Sequence, residues 1–118
     1  MESQDIQEKI HGIEKLFNMT LPVKYKQFLS EEVMGEDNYQ IFSGAGECIY
    51  IYSHLDIVER NQTYAIQDYE PEFLMIGQDG DIGFFVNFGA GEEKIYRCDL
   101  GALGSLPMQE EATDIYSL

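Results

Sequence analysis

Phe73-Leu74-Met75-Ile76-Gly77-Gln78-Asp79-Gly80 is the stretch on which the fold turns. Its first four residues form a wholly apolar run between Pro71 and Gly77, which reads as a strand buried on both faces. Gln78-Asp79-Gly80-Asp81 then supplies turn chemistry, and Ile82 to Phe88 returns as a second strand. Beyond the loop Gly89-Ala90-Gly91-Glu92-Glu93, Ile95 to Cys98 gives a third, so the second half of the chain reads as an antiparallel meander.

Working outward, Tyr39 to Ser43 and Glu47 to Ser53 are rich in Tyr and Ile and flank Gly44-Ala45-Gly46, the pattern of a β-hairpin. Alternation in the second run puts Ile49 and Ile51 on one face and Cys48, Tyr50 and Tyr52 on the other. Upstream, Ile6, Ile10, Ile13, Leu16 and Phe17 recur at spacings of three and four, the stripe of an amphipathic helix over about 3–17. Thr20-Leu21-Pro22 reads as a second helix start, with the hydroxyl as cap and the proline in the first turn; Gly35 stops it. Ser53 is placed to cap a short helix through Leu55, Ile57 and Val58, and Met108 to Leu118 is compatible with a terminal helix. The expected order is α-α-β-β-α-β-β-β-α. That is an α+β single domain, with a twisted antiparallel sheet of about five to six strands and helices packed on one face.

The chain has 118 residues, 44% of them apolar, with eight Tyr, seven Phe and no Trp. Such a domain buries roughly two thirds of its unfolded surface, enough for one core without disulfide staples. Cys48 and Cys98 lie in apolar runs without CxxC or Cys/His spacing, so they read as reduced residues packed in or near the sheet. The acidic N-terminus has no apolar region behind it and no stretch is long enough to span a bilayer, so the expected compartment is the cytoplasm. The triplets at Asn18 and Asn61 then carry no glycan.

Charge is the unusual property: 7 Lys and Arg against 22 Asp and Glu give −15. It is spread as −4, −5 and −6 over residues 1–38, 39–72 and 73–118, so the negative field belongs to a folded surface and not to a tail. A surface of that sign repels phosphate backbones and anionic lipids, which counts against nucleic-acid binding and membrane insertion and leaves basic proteins as partners.

Two stretches carry a family resemblance. Leu21-Pro22-Val23-Lys24-Tyr25-Lys26-Gln27-Phe28-Leu29 resembles the LP-x-x-Y-x-x-F-L helix near the start of SUKH-superfamily domains, the group of fungal Smi/Knr cell-wall regulators and many bacterial immunity proteins. Phe73 to Gly80 is similar to that family's F-hydrophobic-x-I-G-x-D-G strand and turn. Phe84 to Asn87, Ile95-Tyr96 and Asp99 echo the strands that follow, so the resemblance covers about residues 6–116 within a single domain, 1–118. The motif residues, Leu21, Pro22, Tyr25, Phe28, Leu29, Phe73, Ile76, Gly77, Asp79 and Gly80, are structural in character: core filling, a helix start, and glycine backbone freedom.

No arrangement with catalytic chemistry emerges. His11 and His54 lack ligand or HExxH spacing, and no serine sits in a nucleophile elbow. An EF-hand loop beginning at Asp79 would need a Glu at position 90, where Ala90 stands. Gly89-Ala90-Gly91 leads into Glu92-Glu93 and not into a phosphate-binding helix. The paired carboxylates Glu31-Glu32, Glu36-Asp37, Glu92-Glu93 and Glu110-Glu111 read as solvated faces. The expectation is therefore a non-enzyme, without metal or cofactor.

The resemblance implies an immunity protein that neutralises a polymorphic toxin, often a nuclease, in the producing cell by covering its basic cleft. The alternative is a SUKH-like regulatory scaffold for an endogenous partner of the cell-wall-signalling type; a hydrolase using Cys48 or Cys98 is a weaker third reading. Loop acids Glu36, Asp37, Asp68, Glu70, Asp79 and Asp81 are the expected partner-binding residues.

Overall fold

Six antiparallel strands in simple sequential order, β1-β2-β3-β4-β5-β6, make up one curled sheet, with four helices around it. A computed structural model describes residues 3–44, 46–88 and 92–118. Its elements are α1 (Ser3–Phe17), α2 (Val23–Phe28), β1 (Tyr39–Phe42), β2 (Cys48–Ile51), α3 (Ile57–Thr63), α4 (Ile66–Tyr69), β3 (Phe73–Asp79), β4 (Ile82–Asn87), β5 (Ile95–Asp99) and β6 (Gln109–Ala112). Ala45 of the first hairpin and the Gly89-Ala90-Gly91 loop lie outside the described residues.

The apolar run at 73–76 and its partner strand form the centre of the sheet. Leu74, Met75, Ile76, Phe84, Phe85 and Val86 are all fully buried, so both faces of β3 and β4 are covered. Asp79 pairs with Ile82, leaving a two-residue turn in which Gly80 has φ +58°. That is the backbone a type II′ hairpin demands of its first central residue, and glycine meets it without strain. Ile76 is the extra residue of a β-bulge, since Met75 pairs with Phe85 and Gly77 with Phe84.

The helix starts differ from expectation. α2 begins after Pro22, and no side-chain cap comes from Thr20. Acids from elsewhere serve instead: Glu14 accepts from the Leu21 amide (2.7 Å) and the Lys26 ammonium (3.2 Å), and Glu93 accepts from the Lys24 amide (3.2 Å). A carboxylate satisfies an orphan donor as well as a hydroxyl does and adds favourable charge at the helix N-terminus. A π-helical turn, Leu29–Val33, prolongs α2, and the helix ends as expected at Gly35 with φ +81°. Ser53 likewise does not cap α3, whose N-cap position is Asp56; its hydroxyl accepts from the Leu55 amide one turn earlier.

The C-terminal expectation is overturned. Residues 109–112 form β6, paired antiparallel to β5, and only a 3-10 turn, Ile115–Ser117, follows. Pairing along β5 outweighs weak local helical preference in so short a segment. The turn nonetheless closes the core: Phe28 packs edge-to-face on Tyr39 (5.5 Å) and on Tyr116 (5.3 Å), joining α2, β1 and the C-terminus.

Tyr25 is the one motif residue whose chemistry is out of place. Its ring is fully buried, and its hydroxyl has no hydrogen-bond partner among the described residues. Burial pushes its pKa far above the ordinary tyrosine value. A buried unpaired hydroxyl loses its water without recompense, so Tyr25→Phe is expected to leave stability unchanged or raise it by up to about 1 kcal/mol. Urea unfolding checks this; a loss of stability would mean that the hydroxyl is paired after all.

Candidate functional site

Beside the first hairpin, the sheet and α3 leave an open groove of about 660 Å³. Its walls come from four places in the chain: Asp37 before β1; Tyr50, Ile51 and Tyr52 on β2; Leu55, Asp56, Glu59 and Arg60 at α3; Gln78 and Gly80 at the β3 turn. β2 pairs with β3 at Tyr50–Gln78 and Ile51–Gly77, the Tyr52 amide adds a bond to the Ile76 carbonyl (2.9 Å), and the chain then turns toward α3, whose first residues form the groove's other wall.

Alternation along β2 decides which of its side chains is exposed there. Ile49 and Ile51 point into the core, whereas Tyr50 faces outward and is 43% exposed. Gln40 and Phe42 of β1 share the outward side, and Phe42 is 75% exposed. Leu55 is 49% exposed, so Tyr50 and Leu55 bring exposed apolar surface into the groove beside its acids. The floor is held by a polar chain: the Tyr52 hydroxyl donates to the Gln78 side-chain oxygen, and the Gln78 amide donates to the Gly80 carbonyl (3.0 Å). Tyr52 titrates above the ordinary tyrosine value because of burial and the neighbouring Tyr64, so it remains a neutral donor.

Charge in the groove is one-sided. The Arg60 guanidinium is bound in bidentate fashion by Glu59 (2.5 and 2.7 Å) and lies 6.0 Å from the Tyr64 ring centroid. That hydrogen bond holds the Glu59 carboxyl below its ordinary range. Asp37 and Asp56 form no ion pair among the described residues. The same imbalance holds more widely: residues 27–93 contain fourteen Asp and Glu and a single base, Arg60. Lys24, Lys26, Lys94 and Arg97 lie outside that segment and are each engaged by a carboxylate, Asp114, Glu14, Glu110 and Glu47 respectively.

Of the expected binding acids, Asp37 lines the groove, with exposed Glu36 beside it, and Asp79 and Asp81 flank Gly80 at its edge. Asp68 is exposed but lies on α4, not in a loop, and Asp79 is the half-buried last residue of β3. Glu70 accepts from the Gly104 amide (3.3 Å). Sequence reasoning missed Tyr50, Leu55, Asp56 and Glu59. The available signal was the outward-facing tyrosine in β2, an aromatic where alternation calls for a polar residue.

The residues weighed for catalysis are placed apart from such chemistry. His11 is exposed on α1 and His54 is buried, its pKa lowered by burial and by Lys9. Burial, with Glu70 and Asp99 nearby, pushes the Cys98 thiol up, the reverse of what activates a nucleophile. No group of three or more metal-ligating side chains occurs among the described residues. No helix of the described residues is long and apolar enough to cross a membrane.

A sequential six-stranded antiparallel meander with helices around it defines the class: a small α+β domain. The SMI1-KNR4 cell-wall family model, SUKH_6, matches residues 7–99, and the chain belongs to that family. SUKH domains are a family of immunity proteins, generally non-catalytic, and membership implies a protein partner. Among curated proteins none matches the chain.

Proposed function

We propose that this protein is an immunity protein that binds a basic toxin domain and neutralises it by occluding the substrate cleft. The observation that carries the reading is the groove: exposed Tyr50 and Leu55 between carboxylates, on a SUKH domain whose central segment holds one base against fourteen acids. Carboxylates raise the encounter rate with a cationic partner, while the exposed aromatic and aliphatic side chains supply the contact that is desolvated on docking. A nuclease toxin fits best, because a cleft built for phosphates presents the complementary charge.

Coexpression tests this directly. A toxin domain encoded beside this chain is expected to kill cells when expressed alone and to be tolerated when this protein is made with it. Continued killing would remove the proposal. The second reading, a regulatory scaffold, is favoured by the cell-wall description of the matching family. It calls for a growth defect on deletion with no toxin present.

A further inference from the structure

We infer that the groove seats an arginine side chain presented by the partner, stacked on Tyr50 and bridged by Asp37 and Asp56. This deepens the toxin-binding reading and rests on it for the basic character of the partner. The groove already contains one guanidinium held in this manner: Arg60 lies toward the Tyr64 ring and is bound by Glu59. Tyr50 with Asp37 and Asp56 repeats the combination of an aromatic and carboxylates; Asp56 accepts from the Ser53 hydroxyl (3.4 Å) and lies near His54, whose pKa is lowered overall, and neither acid forms an ion pair with a Lys or Arg among the described residues.

The charge of Arg60 is satisfied by Glu59, so Asp37 and Asp56 set the local field, and that field is negative. A planar guanidinium suits the site better than an ammonium. It stacks on tyrosine, it can bridge two carboxylates, and it is more weakly hydrated, so leaving water for the wall of Leu55 and Tyr50 costs it less. The volume of about 660 Å³ exceeds one side chain and accommodates the flanking residues of a loop.

The inference is tested without the toxin, by following backbone amide resonances of the intact protein during titration with N-acetyl-arginine methylamide, its lysine counterpart, and the uncharged citrulline isostere. The expected result is saturable shifts centred on Tyr50, Leu55, Asp56 and Gly80 with arginine, weaker ones with lysine, and none with citrulline. The doubly neutralised Asp37→Asn, Asp56→Asn protein keeps the side-chain shapes, no side-chain cap of α3 is lost because Asp56 makes none, and an Asn oxygen can still accept from Ser53. It is expected to weaken arginine binding about tenfold, the product of two partly exposed ion pairs.

Shifts spread evenly over Glu31, Glu32, Asp68 and Glu72, an equal response to citrulline, or unchanged binding by the double variant would overturn it. Protection in coexpression with a non-selective groove would discard only the arginine seat. A selective groove with no protection would discard the toxin and keep a basic partner.

Discussion

Replacing Asn61 with Leu is expected to destabilise the protein by about 3–5 kcal/mol, the largest effect of any single polar substitution in it. Asn61 is fully buried, and its side chain takes the part of a missing strand. The last bond between the two strands is from the Tyr52 amide to the Ile76 carbonyl (2.9 Å); past Tyr52 the chain turns off toward α3, and the Met75 backbone is bonded by Asn61 instead. The Asn61 amide nitrogen donates to the Met75 carbonyl (2.9 Å) and the Ile57 carbonyl (2.8 Å); its oxygen accepts from the Met75 amide (2.9 Å) and from Gln67 (3.0 Å). Gln67 in turn donates to the Phe73 carbonyl (2.9 Å). Leucine matches the volume and offers none of these bonds, stranding the Met75 amide and carbonyl away from water. Each stranded group costs about 1–3 kcal/mol. Urea unfolding of the two proteins measures the difference, and a loss under about 1 kcal/mol would show that the network is not what holds α3 to the sheet.

Gly77→Ala comes next, at about 3 kcal/mol or more. A Cβ on Gly77 would stand 2.4 Å from the Tyr50 carbonyl oxygen and 3.3 Å from the Ile51 Cα, which are backbone atoms that no rotamer change moves aside. Tyr50 and Ile51 are also the two residues by which β2 pairs with β3, so relief of the clash has to come from separating the strands. Overpacking commonly costs about 1–3 kcal/mol where side chains can yield, and backbone opposition sets the higher figure. Amide exchange in β1 and β2 is expected to accelerate more than in β4 and β5, since the hairpin hangs on this contact. Uniform exchange with stability intact would contradict the placement of the glycine.

These two positions show how far the fold was legible. The Phe73 to Gly80 stretch announced a buried strand and a glycine turn because apolar runs and turn residues are local signals, and both occur there. The stripe of α1 was equally plain. What Gly77 is for was not legible, since the carbonyl it accommodates lies 27 residues away. Asn61 read only as part of an irrelevant glycosylation triplet, since its partners are backbone groups of a strand fourteen residues on. The C-terminal strand was misread as helix because 109–112 carries no alternation of its own and is organised by β5.

Of the candidate site, the acidic character was legible and the groove was not. The acidic excess pointed to a basic partner, and Asp37 was among the residues expected to meet it. The groove itself depends on where β2 leaves β3, a tertiary fact that brings Asp37, Tyr50, Asp56 and Gly80 together from distant positions. Glu92-Glu93, which read as a solvated pair, proved structural: Glu93 holds the start of α2 and Glu92 accepts from the Tyr96 hydroxyl (2.9 Å).

On the proposed function, a basic protein docks on the acidic groove. The most direct measurement is the association rate between this protein and the toxin domain encoded beside it, taken across ionic strength for the native chain and for the Asp37→Lys, Asp56→Lys double variant. Steering predicts a fast native rate that falls steeply with salt, and for the variant a rate at least about tenfold lower at low salt with a shallower dependence. Equal rates and equal salt dependence in the two proteins would contradict the account.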